Sequence, residues 1–275
     1  MSNMQQGLNL IYPHKKDYSF IPSFGATAFD TSGLPANFSV YGGQLIPDQD
    51  SPDTRFVPPI PPLPMGCTGE ATTFIGNIED TNLYNPQSTY LQTPPGTLNT
   101  GRDVRDALQS TIDIGYQDAH GVVGYKRLAY FNVYGTNTIS DYDAAKIAIW
   151  LNQNEKRAVS VGSWFYPEWV EKTSQDGILC TPSFNTQNAT LHNWIITGWK
   201  TINGVEYLEM IPWIGMQWGN NGIGYVSREI FNALMAQPYT AMFTLTKETS
   251  NAPIPVGWQA ITDHFVYYFR NLLGV

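Results

Sequence analysis

The apolar periodicity of this chain changes character along its length, and that change constrains the fold more than any other feature. Ahead of residue 155 most well-marked segments step at three and four residues, as amphipathic helices do. Thr68 to Ile78 puts Phe74 and Ile78 on one face. A second helical segment opens near Asn99–Asp103 and carries Val104, Leu108, Thr111 and Ile112 to about Gly115. A third, Asp141 to Asn154, aligns Ala144, Ile147, Ala148 and Leu151, with Asp141 and Asp143 suited to the positive end of the helix dipole. Residues 127–134 interrupt this series as a strand. Beyond residue 155 strands dominate, at 158–164, 194–199, 205–211, 224–227 and 241–246. Between two of them Asn203-Gly204 supplies the pair that tolerates positive φ in a tight hairpin. Helices followed by antiparallel strands predict an α+β fold.

The 275 residues suffice to bury a full core, and 42% apolar against 14% charged residues marks a globular chain. A net charge of −8 argues against a nucleic-acid surface, so no nucleic-acid partner is expected. No apolar run is long enough to cross a bilayer, so no transmembrane segment is expected. The opening MSNMQQGLNLIYPHKK lacks the basic-then-apolar layout of a secretory signal. A cytoplasmic or virion-associated location follows as an expectation. His14, His120 and His264 have no partners at ligand spacing, so neither a metal nor a cofactor is expected.

Three regions differ in composition. Residues 1–52 read as an extended Pro/Gly-rich N-terminal arm, 53–249 as the main domain, and 250–275 as a linker with an amphipathic C-terminal helix. In that tail Trp258, Ile261, Phe265, Tyr268 and Leu272 share a face. The face can pack on its own domain, or mediate self-association or partner docking through 258–273. A membrane-surface role is disfavoured by the few basic residues nearby.

Two residues carry the chemistry. Cys67 sits between glycines at the start of the first helix, where the dipole favours the nucleophilic thiolate. It is reached through the proline-rich run Val57 to Pro64, which should be extended. His192 opens a strand, and an imidazole beside a thiol can take its proton and later deliver it. Cys180 reads as a small buried hydrophobe, although a Cys67–Cys180 bridge would silence the thiol.

Six segments in order resemble the papain-like cysteine peptidases, in particular their disulfide-free bacterial and viral branch. Asp53-Thr54-Arg55 is similar to the family's Asp-x-Arg opening, and Gly66-Cys67-Thr68-Gly69-Glu70-Ala71 to its nucleophile motif. Gly101 to Leu108 resembles its Arg-Asp helix, and Ala158 to Gly162 its central strand. His192 to Gly198 resembles the histidine strand, and Gln217 to Tyr225 the Trp-Gly-rich segment. The resemblance implies a two-lobed fold, a helical lobe bearing Cys67 and an antiparallel sheet or barrel lobe bearing His192. It also implies acyl transfer on a peptide or protein substrate through a thioester. The backbone N–H of Cys67 would help to hold the oxyanion.

Two supporting groups of that family have no counterpart by simple counting. Its oxyanion glutamine lies six residues before the nucleophile, where this chain has Pro61, while Gln44 and Gln49 lie further upstream. Its histidine-orienting asparagine falls on Pro212, or on Ile211 with a one-residue shift, and neither side chain can accept from an imidazole. Glu70, one turn after Cys67, either opposes thiolate formation or is a solvated or capping carboxylate. The chain therefore reads as a Cys-His hydrolase of reduced activity, or as a papain-fold pseudoenzyme with a binding or structural role such as a phage component.

Overall fold

A computed structural model describes residues 31–95, 101–118, 120–123, 126–135, 139–173 and 175–247. The tail expected at 250–275, and residues 1–30 of the arm, lie outside the described residues. Among those described, β1 (Phe38–Ser39) precedes the helices α1 (Cys67–Asp80), α2 (Pro86–Gln92) and α3 (Val104–Asp113). There follow β2 (Arg127–Val133), α4 (Asp141–Leu151), β3 (Val159–Phe165), α5 (Pro167–Lys172), β4 (Thr190–Ile202) and β5 (Val205–Ile211). The order closes with β6 (Gly224–Ser227), α6 (Arg228–Met235) and β7 (Ala241–Lys247). The strands form one antiparallel sheet, ordered β2-β7-β3-β4-β5-β6, with β1 on the far end of β4. The expected α+β class is what the chain adopts.

Local chemistry explains the element boundaries. Asn85, Asp103, Ser140 and Ser227 cap α2, α3, α4 and α6 by accepting backbone N–H groups that the helices cannot use. Asn203 and Gly204 take φ of 50° and 79° and close the β4–β5 hairpin. β1 can approach β4 because Gly198 has no side chain: a Cβ there would lie 2.0 Å from the Phe38 carbonyl oxygen.

Nearly every residue of α1 is buried, because the helix packs on α2 and α3 and also on β4 and β3. It is the seam between the helical part and the sheet. Its Phe74 belongs to one continuous core with Trp194, Ile195, Trp199, Trp213 and Phe243. The described part of the N-terminal arm joins this body. Val40 donates its N–H to Thr197 O (2.8 Å) and Gln49 donates to Trp213 O (3.1 Å), so the segment follows β4 toward the loop after β5.

Candidate active site

The path from Gln49 to Cys67 sets the geometry. Leu63 N–H donates to Gln49 O at 2.7 Å, so residues 50–62 leave and return as a closed excursion. Asp53 and Ile60 pair across it (2.9 and 3.2 Å), while Phe56 and Ile60 are buried. The proline run expected to be extended thus bends back at residues 56–58. Pro61 is exposed on this excursion, and it is Gln49 that is buried. The Gln49 amide reaches the Pro64 carbonyl, Nε2 to O 3.5 Å, just ahead of the nucleophile turn. Counting along the chain leads to Pro61 instead, since it is the Leu63–Gln49 closure that brings Gln49 to Pro64.

Gly66 completes the turn into α1 by donating its N–H to Leu63 O at 2.6 Å. Cys67 is the first residue of the helix and is fully buried. Its N–H is one of the four that a helix leaves outside its own ladder.

On the sheet side β4 runs from Thr190, but β5 pairs with it only from Ile195 onward (Ile195 opposite Ile211). At Asn193 that edge of β4 is therefore vacated by β5. The Cys67 thiol and the Trp213 indole fill it: Asn193 N–H donates to Cys67 Sγ (3.4 Å), and Trp213 Nε1 donates to Asn193 O (3.0 Å). Cys67, distant in sequence, thus meets across the seam the residue that follows His192 on β4. Strand alternation sends the Asn193 side chain to the opposite face, where its Oδ1 accepts from Ser160 Oγ at 3.0 Å.

His192 is buried, with its ring 5.1 Å from the Phe165 ring. Its Nε2 lies 2.7 Å from the Pro212 carbonyl oxygen. A carbonyl only accepts, so Nε2 carries the proton and Nδ1 is left as the basic nitrogen. Burial lowers the imidazole pKa to about 4, with the Pro212 hydrogen bond acting in the opposite sense. The Pro212 atom that meets the imidazole is thus its backbone oxygen, not its side chain.

Glu70 is also buried, and its carboxylate lies 3.9 Å from Arg55 Nη2. Burial pushes its pKa up to about 8, despite Arg55. Cys67 and Cys180 are both free thiols, so the bridge considered from the sequence is not formed. Among the described residues no cluster of three or more His, Cys, Asp or Glu could hold a metal ion. No helix among them is long and apolar enough to cross a membrane.

No protein-family model matches the sequence, and no curated protein aligns with it significantly. Solved structures do resemble it. Xylellain, a cysteine protease from Xylella fastidiosa, superposes with a TM-score of 0.64 at 16% identity, covering 90% of this chain and 97% of that one. Procathepsin B S9 from Trypanosoma congolense gives 0.59 at 12% identity, covering 88% and 87%. Bromelain from Ananas comosus gives 0.57 at 15% identity, covering 78% and 100%. The neighbours of this structure are papain-like cysteine proteases, and the chain has the papain-like fold.

Proposed function

We propose that the protein is a cysteine hydrolase that cleaves peptide or amide bonds through a Cys67–His192 dyad. The observation that carries this reading is the thiol held at the vacated edge of β4, on the N–H of the residue that follows a histidine whose Nε2 is anchored on Pro212. His192 Nδ1 takes the thiol proton, and the sulfur attacks the substrate carbonyl carbon to form a C–S bond. The negative charge that develops on the carbonyl oxygen is met by the Cys67 N–H and by Gln49 Nε2. The imidazolium then protonates the leaving amine as the C–N bond breaks, leaving a thioester. Water, deprotonated by the same imidazole, hydrolyses the thioester and restores the thiol.

In this account both supporting roles have occupants that residue counting does not reveal. Gln49 enters from across the excursion, and a peptide carbonyl replaces an asparagine side chain. That supports turnover over a purely structural role. The test is hydrolysis of peptide amides by the protein and by Cys67→Ser and His192→Ala. Loss of activity in both, with folding intact, supports the dyad. Activity unaffected by Cys67→Ser rejects it.

A further inference from the structure

Glu70 is a buried carboxyl group that the proposed acyl transfer leaves unused. It follows Cys67 by three positions in the first turn of α1, where such side chains are neighbours with Cβ atoms about 5–6 Å apart. It is 3% exposed, so ionisation costs solvation unless a cation compensates. The cation at hand is Arg55, at 3.9 Å, and Arg55 is already engaged. Its Nε donates to both Asp53 oxygens (2.9 and 3.1 Å), its Nη2 to Asp53 Oδ2 (2.6 Å), and its Nη1 to Leu45 O (3.3 Å). Asp53 matches the guanidinium charge, and Glu70 competes for what remains.

We infer that Glu70 tunes the acidity of the Cys67 thiol. Protonated, it leaves the helix N-terminus free to favour thiolate; ionised, its charge one helical turn from Cys67 disfavours thiolate. The titratable groups around it are Arg55 and Asp53 on the excursion and Cys67 on its own helix. Tyr41, whose ring stacks on Phe74, has its hydroxyl pushed up to about 12 and stays neutral. Burial is what moves the Glu70 transition up to about 8, with Arg55 lowering it and Asp53 raising it. Glu70 therefore changes charge in mildly alkaline solution, where a thiol also titrates. The catalytic meaning of this coupling rests on the proposed function; the coupling itself does not.

The test follows thiolate absorbance at about 240 nm from about pH 5 to pH 10 in a Cys180→Ser background, with the Cys67→Ser form subtracted. Glu70→Gln should lower the midpoint of the Cys67 titration by about half to one pH unit, a roughly three- to tenfold gain in acidity. Glu70→Met, which removes the carboxyl group and leaves an apolar side chain suited to burial, should lower it too. An unchanged midpoint in folded Glu70→Gln overturns the inference. Should that variant not fold, an unchanged midpoint in folded Glu70→Met does the same. Peptide-amide hydrolysis is assayed in parallel. A shifted midpoint without parental turnover sinks the hydrolase reading alone, and turnover with an unmoved midpoint sinks this inference alone.

Discussion

The Nε2 nitrogen of His192 lies 2.7 Å from the peptide oxygen of Pro212. A peptide carbonyl and a carboxamide carbonyl are the same kind of acceptor, so either can fix the tautomer that leaves Nδ1 basic. The difference is that no side chain at position 212 takes part. Pro212→Ala should therefore keep kcat/KM within about threefold of the parent, whereas an orienting side chain would cost far more when truncated. Steady-state kinetics on a peptide amide check this, and a hundredfold loss would show that the orienting group is not the backbone.

Gln49 offers the opposite case, because the role proposed for it falls to its side chain. Gln49→Ala should lower kcat by about 10²–10³ with little change in KM, the pattern of a donor used mainly in the transition state. A matching thermal melt separates this from unfolding. A mutant that loses only substrate affinity would remove Gln49 from the oxyanion role.

The contrast between these residues shows what the sequence made legible. The α1 helix with Cys67 at its start and the β4–β5 hairpin follow from local patterns, and each strand read from the sequence is found within a few residues. The helices α2, α5 and α6 escape such reading because they are short, and Pro86, Pro167 and Ser227 mark their starts more clearly than any periodicity. Gln49 escapes for another reason. Its position depends on the Leu63–Gln49 hydrogen bond that closes residues 50–62, a contact that spacing along the chain does not encode. The role of Pro212 was hidden because a backbone carbonyl has no sequence signature.

The turn that presents the thiol is crowded. A Cβ at Gly66 would lie 2.5 Å from Leu63 Cβ and 2.7 Å from Leu63 O, and Leu63 is buried. Gly66→Ala should therefore cost roughly 1–3 kcal/mol and displace the start of α1. Denaturant unfolding together with a fall in activity checks it, and full stability with full activity would contradict the packing described.

Buried titrating groups set the pH dependence of stability. Glu70, raised from 4.5 to about 8, binds more protons folded than unfolded between those values, so its contribution is lost as pH rises through that range. His192, lowered from 6.5 to about 4, binds fewer protons folded, so its contribution is lost as pH falls through that range. The two oppose each other in mildly acidic solution, and above about pH 6.5 only the Glu70 effect remains of this pair. The parent should lose stability between about pH 6.5 and 8, and Glu70→Gln should flatten that decline. Melting curves across pH measure it, and an equally steep decline in the variant would assign it elsewhere.

Most directly, an unfolded protein such as reduced casein can be incubated with the parent and with Cys67→Ser, and the products followed by mass spectrometry. Fragments from the parent, none from the variant, and a folded variant are the predicted result. Fragments from both, or from neither while both are folded, would contradict a hydrolase that works through Cys67.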